Sequence, residues 1–179
     1  MRAVIFAAML VFSGCASQPD YRAEETPPDA VASVDLNRYL GKWYEIARYP
    51  NSFERNCQGV TAEYSLREDG AIGVLNTCRT GTIDGKARTA EGRARIVEGS
   101  NNSKLRVKFA PSWVPFAEGD YWILHLEPDY SAALVGSPSG KYLWILARET
   151  SLAPDTLTKI KARAEALGYD ASKLEMVEQ

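Results

Sequence analysis

The residues with the widest chemical repertoire in this chain are its single histidine, His125, and its three cysteines, Cys15, Cys57 and Cys78. A zinc site made only of these residue types would need all four side chains, and their spacing does not suggest one. A hydrolase would need a nucleophile and an orienting acid beside the histidine, but the sequence has no G-x-S-x-G and no H-E-x-x-H. It also lacks a glycine-rich phosphate loop. We therefore expect no catalytic residue, no metal and no cofactor, and we interpret the protein as a non-enzyme.

The overall composition is that of an ordinary globular protein. The chain has 179 residues, of which 45% are hydrophobic and 25% are charged, and this length favours a single domain. Lys and Arg number 21 against 23 Asp and Glu, which gives a formal charge of −2. Because no basic block is present, we expect no nucleic-acid partner.

The N-terminus has the layout of a secretory signal. Met1-Arg2 is followed by an apolar run from Ala3 to Phe12 and then by Ser13-Gly14-Cys15. This run is too short to span a bilayer core, which takes about 20 residues. Residues 12–15 resemble a bacterial lipobox, in which the cysteine receives a diacylglyceryl group. The resemblance implies a signal peptide over residues 1–14 and lipidation of Cys15, and a plain secretory signal that contains a cysteine is the alternative.

The segment after the lipobox is rich in Pro, Ala, Asp, Glu and Ser. We interpret residues 15–33 as a lipidated, extended tether in front of a folded domain over residues 34–179. Ala16, rather than an aspartate, follows the cysteine, and resemblance to enteric lipoproteins then favours the outer membrane. We expect a protein that is lipid-anchored to this membrane through acylated Cys15, with its domain facing the periplasm.

The folded domain is dominated by short extended segments. Runs of β-branched and aromatic residues, several of them alternating with period two, are separated by turns rich in Gly, Pro, Asn and Asp. Eight such segments follow one another, at residues 43–49, 60–66, 72–78, 89–96, 105–109, 121–126, 132–135 and 142–147. Short connections favour antiparallel neighbours, and closure of the sheet removes its free edges. The sequence predicts an all-β fold with one α-helix, an eight-stranded antiparallel up-and-down β-barrel.

The predicted helix lies near the C-terminus. Pro154 suits its first position and Gly168 suits its end. Between Leu157 and Leu167 apolar residues recur at steps of three and four, which gives one apolar stripe on a charged helix. We expect this helix to pack on the outside of the barrel, and residues 173–177 are a candidate ninth strand.

Three separated motifs carry a resemblance to a known family. They are Gly41-x-Trp43 at the first strand, Asp129-Tyr130 between the sixth and seventh strands, and Arg148 after the eighth. In this order they resemble the signature of the lipocalins. The run from Trp43 to Arg48 is similar to that of the bacterial outer-membrane members, relatives of apolipoprotein D. The resemblance covers roughly residues 34–177 and implies a barrel with an interior ligand site.

We expect the barrel to be closed at one end by Trp43, with Arg148 on its indole face as a cation–π partner. Alternation along each strand then assigns the inward faces. Between Tyr121 and His125 the alternation is ambiguous, and there the family resemblance implies that the odd-numbered residues face inward. The residues predicted to contact a ligand are Glu45, Ala47, Tyr64, Val74, Asn76, Val107, Phe109, Tyr121, Ile123, His125, Tyr142 and Trp144. Core packing remains the alternative for each of them.

Two further features concern the loops. Phe53, Trp113 and Phe116 are apolar residues in loop-like sequence, and we predict that they line the mouth of the barrel; loops that fold back and pack are the alternative. Cys57 and Cys78 fall near opposition on a predicted hairpin, and the periplasm is oxidising. We predict a disulfide between them, with two separate buried thiols as the alternative.

Three functions are compatible with this reading. The first is a membrane-anchored lipid-binding protein that holds a fatty acid or lysophospholipid-like amphiphile in the barrel, for lipid storage, transfer or envelope maintenance. The second is a structural or partner-binding envelope lipoprotein with a filled barrel, and the third is a lipid-modifying enzyme that uses His125. A homodimer is compatible with the first two. We favour the first, because an apolar, aromatic interior with a few polar groups suits an acyl chain with a polar head.

Overall fold

A computed structural model describes residues 20–109 and 118–179 of the chain. The α-helices in these ranges are α1 (Leu36–Tyr39) and α2 (Pro154–Ala166), and a 3-10 turn covers Ala171–Lys173. The strands are β1 (Gly41–Arg48), β2 (Cys57–Leu66), β3 (Ile72–Thr80), β4 (Ala87–Ile96), β5 (Lys104–Lys108), β6 (Glu118–Leu126), β7 (Ala132–Gly136), β8 (Leu143–Ala147) and β9 (Glu175–Met176). Within the described ranges, no helix is long and apolar enough to cross a membrane.

The strands form one closed antiparallel sheet. Each strand from β2 to β7 pairs with the next along the chain, and β1 closes the circle by pairing with both β8 and β2. The first half of β1, from Gly41 to Tyr44, pairs with β2, and its second half, up to Arg48, pairs with β8. The predicted eight-stranded antiparallel barrel is thereby confirmed. The candidate ninth strand is also present, as the two-residue β9 paired with the end of β1.

The β2–β3 hairpin illustrates how the local sequence sets the register. Gly70 adopts a positive φ of 78°, which glycine tolerates without strain, and the Asp69 carboxylate accepts a hydrogen bond from the Ala71 N–H. The tight turn brings Leu66 opposite Ile72, and the pairing continues to Cys57 opposite Thr80. The disulfide and the cavity wall described below depend on this register.

Register shifts change the inward face partway along three strands. The register shifts between Glu45 and Ala47 in β1, between Gln58 and Thr61 in β2, and between Ile123 and His125 in β6. A bulge inserts one unpaired residue, so the residues beyond it point to the opposite face from the one that strict alternation assigns. The shifts in β1 and β6 affect two predicted ligand contacts: Ala47, which alternation placed inside the barrel, and His125, which the family resemblance placed there.

The wall of the barrel separates two apolar clusters. One fills the closed half of the interior and includes Trp43, Leu105 and Ile123. The other lies between the outside of the wall and α2, where Ile160 and Ala164 are fully buried. The helix therefore packs outside the barrel, as its apolar stripe predicts.

The segment just before α1 lies against the domain. Tyr21 and Ala23 donate backbone hydrogen bonds to Gly140 and Gly168, and the Val31 N–H donates to the Ile123 carbonyl. The composition of residues 15–33 favours an extended tether. From Tyr21 onward the segment instead follows the domain surface, because its apolar side chains find partners there: the Tyr21 ring packs 5.0 Å from that of Tyr49.

Candidate functional site

The closed end of the barrel is built around Trp43 and Arg148. Trp43 is fully buried, and its indole N–H donates to the Tyr39 carbonyl at 2.8 Å. The Arg148 guanidinium carbon lies 3.9 Å from the centroid of the Trp43 ring system, which is cation–π contact. The same guanidinium donates to four backbone carbonyls, those of Arg38, Tyr39, Leu40 and Lys42. These bonds join the start of β1 to α1 and cover this end of the barrel.

Gly41 is required by the same arrangement. Its φ is +90°, and a Cβ atom at this position would lie 3.6 Å from Nη1 of Arg148. A side chain would therefore be strained in its backbone, although its Cβ atom would be only in ordinary van der Waals contact with the guanidinium. This explains why a glycine stands two residues before the tryptophan in the first motif.

The Asp129-Tyr130 turn holds α1 across the closed end. The Asp129 carboxylate accepts two hydrogen bonds from Ser131, which stabilises a turn with Tyr130 at a φ of +65°. The Tyr130 hydroxyl accepts a hydrogen bond from the N–H of Asp35, the residue that caps α1, and the Arg38 guanidinium stacks 4.0 Å from the Tyr130 ring. All three motifs thus meet at one end of the barrel, and their role there is structural.

The other half of the barrel contains a cavity. Its volume is about 400 Å³, within the roughly 300–1,000 Å³ typical of small-molecule sites. Nine of the predicted ligand-contacting residues line it: Glu45, Tyr64, Val74, Asn76, Val107, Phe109, Tyr121, Tyr142 and Trp144. The remaining lining residues are Phe53, Glu54, Ala62, Gly119, Asp120 and Leu146. We call this cavity the deep compartment.

A side compartment of about 480 Å³ adjoins the deep one. Four residues line both compartments: Phe53, Glu54, Asn76 and Phe109. The other walls of the side compartment are formed by Cys57, Val60, Thr77, Cys78, Arg88, Thr89 and Ala90. The two spaces therefore meet at a junction that carries two polar side chains, Glu54 and Asn76, and two aromatic rings.

The predicted disulfide is present in the wall of the side compartment. Cys57 and Cys78 are bonded, with their Cα atoms 5.3 Å apart. The Arg88 guanidinium donates towards both sulfur atoms, at 3.3 and 3.4 Å. The bond joins β2 to β3, at the end of β2 that is remote from the turn of the hairpin.

Three predicted ligand contacts, Ala47, Ile123 and His125, do not line the cavity. β-Bulges turn two of them, Ala47 and His125, to the other face of the sheet. Ala47 lies beyond the β1 bulge and is buried in the cluster under α2. His125 lies beyond the β6 bulge and is paired with Leu134, which faces α2. Its imidazole contacts Glu127 at 2.8 Å outside the cavity. Ile123 does face inward, but it is fully buried in the packed closed half.

A buried polar cluster occupies the cavity wall. Arg48 donates to the Glu45 carboxylate at 2.7 Å and to the backbone carbonyls of Glu54 and Cys57 at 3.2 and 3.0 Å. The Trp144 indole N–H donates to the Glu54 carboxylate at 3.2 Å. Burial raises the pKa of the Glu45 carboxyl well above its ordinary value, and the charge of Glu54 adds to the rise. The cluster is the main polar feature of an otherwise apolar and aromatic lining.

Three tyrosine hydroxyls form a chain at the floor of the deep compartment. The Tyr64 hydroxyl donates to Tyr121 at 2.8 Å, and the Tyr121 and Tyr39 hydroxyls are also 2.8 Å apart. Burial raises the pKa of all three hydroxyls, so they stay neutral at physiological pH. Each hydroxyl has a hydrogen-bond partner, and the floor carries no charge from these groups.

Comparison with known proteins assigns the family. The family model described as a lipocalin-like domain matches residues 34–179. This chain is a lipocalin. It is 38% identical over 181 residues to the outer membrane lipoprotein Blc of Vibrio cholerae, covering 100% of this chain and 99% of that protein. The expected similarity to bacterial outer-membrane lipocalins is thereby confirmed.

The likeness extends to a plant lipocalin in sequence and to an insect protein in fold. The lipocalin is 38% identical over 164 residues to temperature-induced lipocalin-1 of Arabidopsis thaliana, covering 87% of this chain and 85% of the relative. Insecticyanin from the tobacco hornworm Manduca sexta superposes with a TM-score of 0.69 at 22% identity, covering 90% of each chain. This structural likeness supports the barrel fold.

Some predicted positions of the lipocalin fall outside the described residues. These are the signal peptide over residues 1–14, Cys15, and the mouth residues Trp113 and Phe116. The third mouth residue, Phe53, lines both compartments and is 56% exposed. Sequence reasoning missed Glu54, the residue that completes the polar cluster. It lies in the loop between β1 and β2, where no alternation signals which side chains turn inward.

Proposed function

We propose that this lipocalin binds one amphiphile, a fatty acid or lysophospholipid-like molecule, with the acyl chain in the deep compartment. The observation that carries the proposal is a cavity of about 400 Å³ whose lining is apolar and aromatic except for one polar cluster and a few single polar groups. An acyl chain gains by removal from water, and a polar head would be satisfied near the junction. Lipid storage, transfer or envelope maintenance are the roles this binding would serve.

The proposed location is the outer membrane, with the domain facing the periplasm and Cys15 as the lipid anchor. The lipobox-like sequence over residues 12–15 and the name of the Vibrio cholerae relative, an outer membrane lipoprotein, support it. Replacing Cys15 with Ser should abolish incorporation of labelled palmitate and move the protein out of the membrane fraction, whereas Ser17→Ala should change neither. Retention of the label by the Cys15→Ser protein would contradict the anchor.

A filled barrel with a purely structural role and an enzyme based on His125 receive no support from a specific contact. The interior retains space beside Tyr64 and Val74, and the imidazole of His125 is paired with Glu127 outside it.

Blocking the deep compartment tests the binding proposal. Gly119 lines the cavity, has no positive φ, and a Cβ atom placed on it would meet its nearest neighbour only at 4.0 Å. A Gly119→Trp variant should fold normally but fail to take up a fluorescent fatty acid. The matched control is Leu75→Trp, on the exposed outer face of β3, and it should bind as the wild type does. Equal uptake by both variants would show that the probe binds elsewhere.

A further inference from the structure

Two buried carboxyl groups lie at and beside the junction: Glu54 lines both compartments, and Glu45 lines the deep one. Only 8% of Glu54 and 4% of Glu45 are exposed. Burial and the charge of Glu54 raise the pKa of the Glu45 carboxyl, so the two groups interact electrostatically. A further negative charge placed beside them would be repelled.

The cation beside these groups already has partners. Arg48 is 7% exposed, and its two terminal nitrogens donate to the Glu45 carboxylate and to the carbonyls of Glu54 and Cys57. One guanidinium faces two carboxyl groups, so it leaves no spare positive charge. An anionic ligand group placed here would add an uncompensated charge to a buried site, which is costly.

The remaining ionisable groups on the wall of the deep compartment do not offset such a charge. The Tyr64 hydroxyl is neutral and donates to Tyr121. Asp120 lines the deep compartment, and its carboxylate is paired with Arg106 at 2.7 Å. Arg88 is the cation on the wall of the side compartment, where its guanidinium points to the disulfide.

Asn76 supplies a second independent observation at the junction. Its Oδ1 atom is buried and has no hydrogen-bond partner within the described part of the chain. A buried acceptor without a donor costs about 1–3 kcal/mol, so this oxygen favours a ligand that brings one. A hydroxyl group can donate to Asn76, whereas a carboxylate can only accept.

We propose that the junction is a binding site for an uncharged hydroxyl group, and that it selects neutral acyl amphiphiles of the monoacylglycerol type over free fatty-acid anions. This inference rests on the proposed function, since it names the ligand class that the same cavity accepts. Asn76 contributes the acceptor, the buried carboxyl groups disfavour an anion, and the acyl chain extends into the deep compartment.

Competition binding with matched oleoyl probes tests the selection. A neutral fluorescent hydrophobe is bound to the purified protein at pH 8. It is then displaced by 1-monooleoylglycerol, methyl oleate or oleate, each added below its aggregation limit. The wild type should bind 1-monooleoylglycerol about tenfold or more tightly than oleate, the change that about 1.4 kcal/mol produces. The double variant Glu45→Gln, Glu54→Gln leaves the Arg48 charge uncompensated and should lose or reverse this preference. The control is Glu63→Gln, Glu91→Gln, which removes the same charge from exposed positions and should keep it.

A second variant covers the case in which the buried double variant does not fold. Asn76→Leu removes the acceptor and should weaken the binding of 1-monooleoylglycerol severalfold. The binding of methyl oleate, which has no hydroxyl, should be unaffected. If the wild type binds oleate at least as tightly as 1-monooleoylglycerol, the inference is overturned. Such a result would point to an anion site such as Arg88 and would leave the proposed function intact. If neither the fluorescent hydrophobe nor any oleoyl probe binds, the proposed function fails as well.

Discussion

At the scale of single residues, the barrel end depends on Arg148 more than its partly exposed position suggests. The side chain contributes little as a charge, since its partners are neutral carbonyls and an indole ring. Its planar fork of donors instead ties four carbonyls of residues 38–42 together, a geometry that lysine cannot reproduce. The unpaired carbonyls left by its removal would have to find water at the covered end of the barrel.

We predict that Arg148→Ala lowers the free energy of unfolding by about 2–4 kcal/mol, since it removes several hydrogen bonds and one cation–π contact. Urea denaturation followed by tryptophan fluorescence would measure the loss. The matched control is Arg95→Ala, which removes an arginine from a surface ion pair with Glu118 and should cost less than about 1 kcal/mol. Equal effects of the two variants would contradict the structural role of Arg148.

Glu45 should give the protein an unusual dependence of stability on pH. Burial raises its pKa well above the ordinary value near 4.5, so between the two values the folded state holds a proton that the unfolded state has lost. This contribution is complete in acid and is lost as the pH rises through the folded-state pKa. The groups that face Glu45 are Arg48, Glu54 and Tyr64.

We predict that wild type loses stability relative to Glu45→Gln when the pH is raised from 5 to 8, because glutamine has no proton to lose. Each unit of raised pKa corresponds to about 1.4 kcal/mol. The difference in unfolding free energy between the two proteins, measured at several pH values, isolates this group from the exposed carboxyls common to both. A difference that stays constant over this range would show that Glu45 has an ordinary pKa.

At the scale of elements, the β2–β3 hairpin is constrained twice, by its tight turn and by the Cys57–Cys78 bond 21 residues apart in sequence. The two cysteines also form part of the wall of the side compartment. Their bond therefore contributes both to the stability of the fold and to the shape of the site.

Replacing both cysteines with alanine should lower the free energy of unfolding by about 3 kcal/mol, the loop-closure entropy expected for a loop of this size. A reducing agent should lower the stability of the wild type to a similar level and leave the Cys57→Ala, Cys78→Ala variant unchanged. If reduction leaves the wild type as stable as before, the bond does not constrain the unfolded chain.

Elements also show where sequence reasoning succeeds and where it cannot. The strands, the outer helix and the closed end follow from alternation, an apolar stripe and three motifs, because each signal is local. The inward face of Ala47, predicted from alternation, and that of His125, implied by the family resemblance, were both wrong, since a β-bulge shifts the alternation by one residue without a periodic trace in the sequence. Glu54 was missed because loop side chains have no period at all.

At the scale of the whole molecule, the barrel interior consists of two halves with different roles. One half is packed around Trp43 and Leu105 and closes the barrel, and the other half holds an apolar cavity with one polar cluster on its wall. The proposed acylation of Cys15 would hold the domain at a membrane that supplies amphiphiles. The proposed function therefore depends on the cavity being a site for one lipid molecule.

Native mass spectrometry of the purified protein, released from detergent after incubation with a cell-envelope lipid extract, tests this claim most directly. We predict a single bound lipid per chain in the wild type and in Leu75→Trp, and no bound lipid in Gly119→Trp. A wild-type spectrum without bound lipid, or equal lipid on the blocked and unblocked variants, would contradict the account.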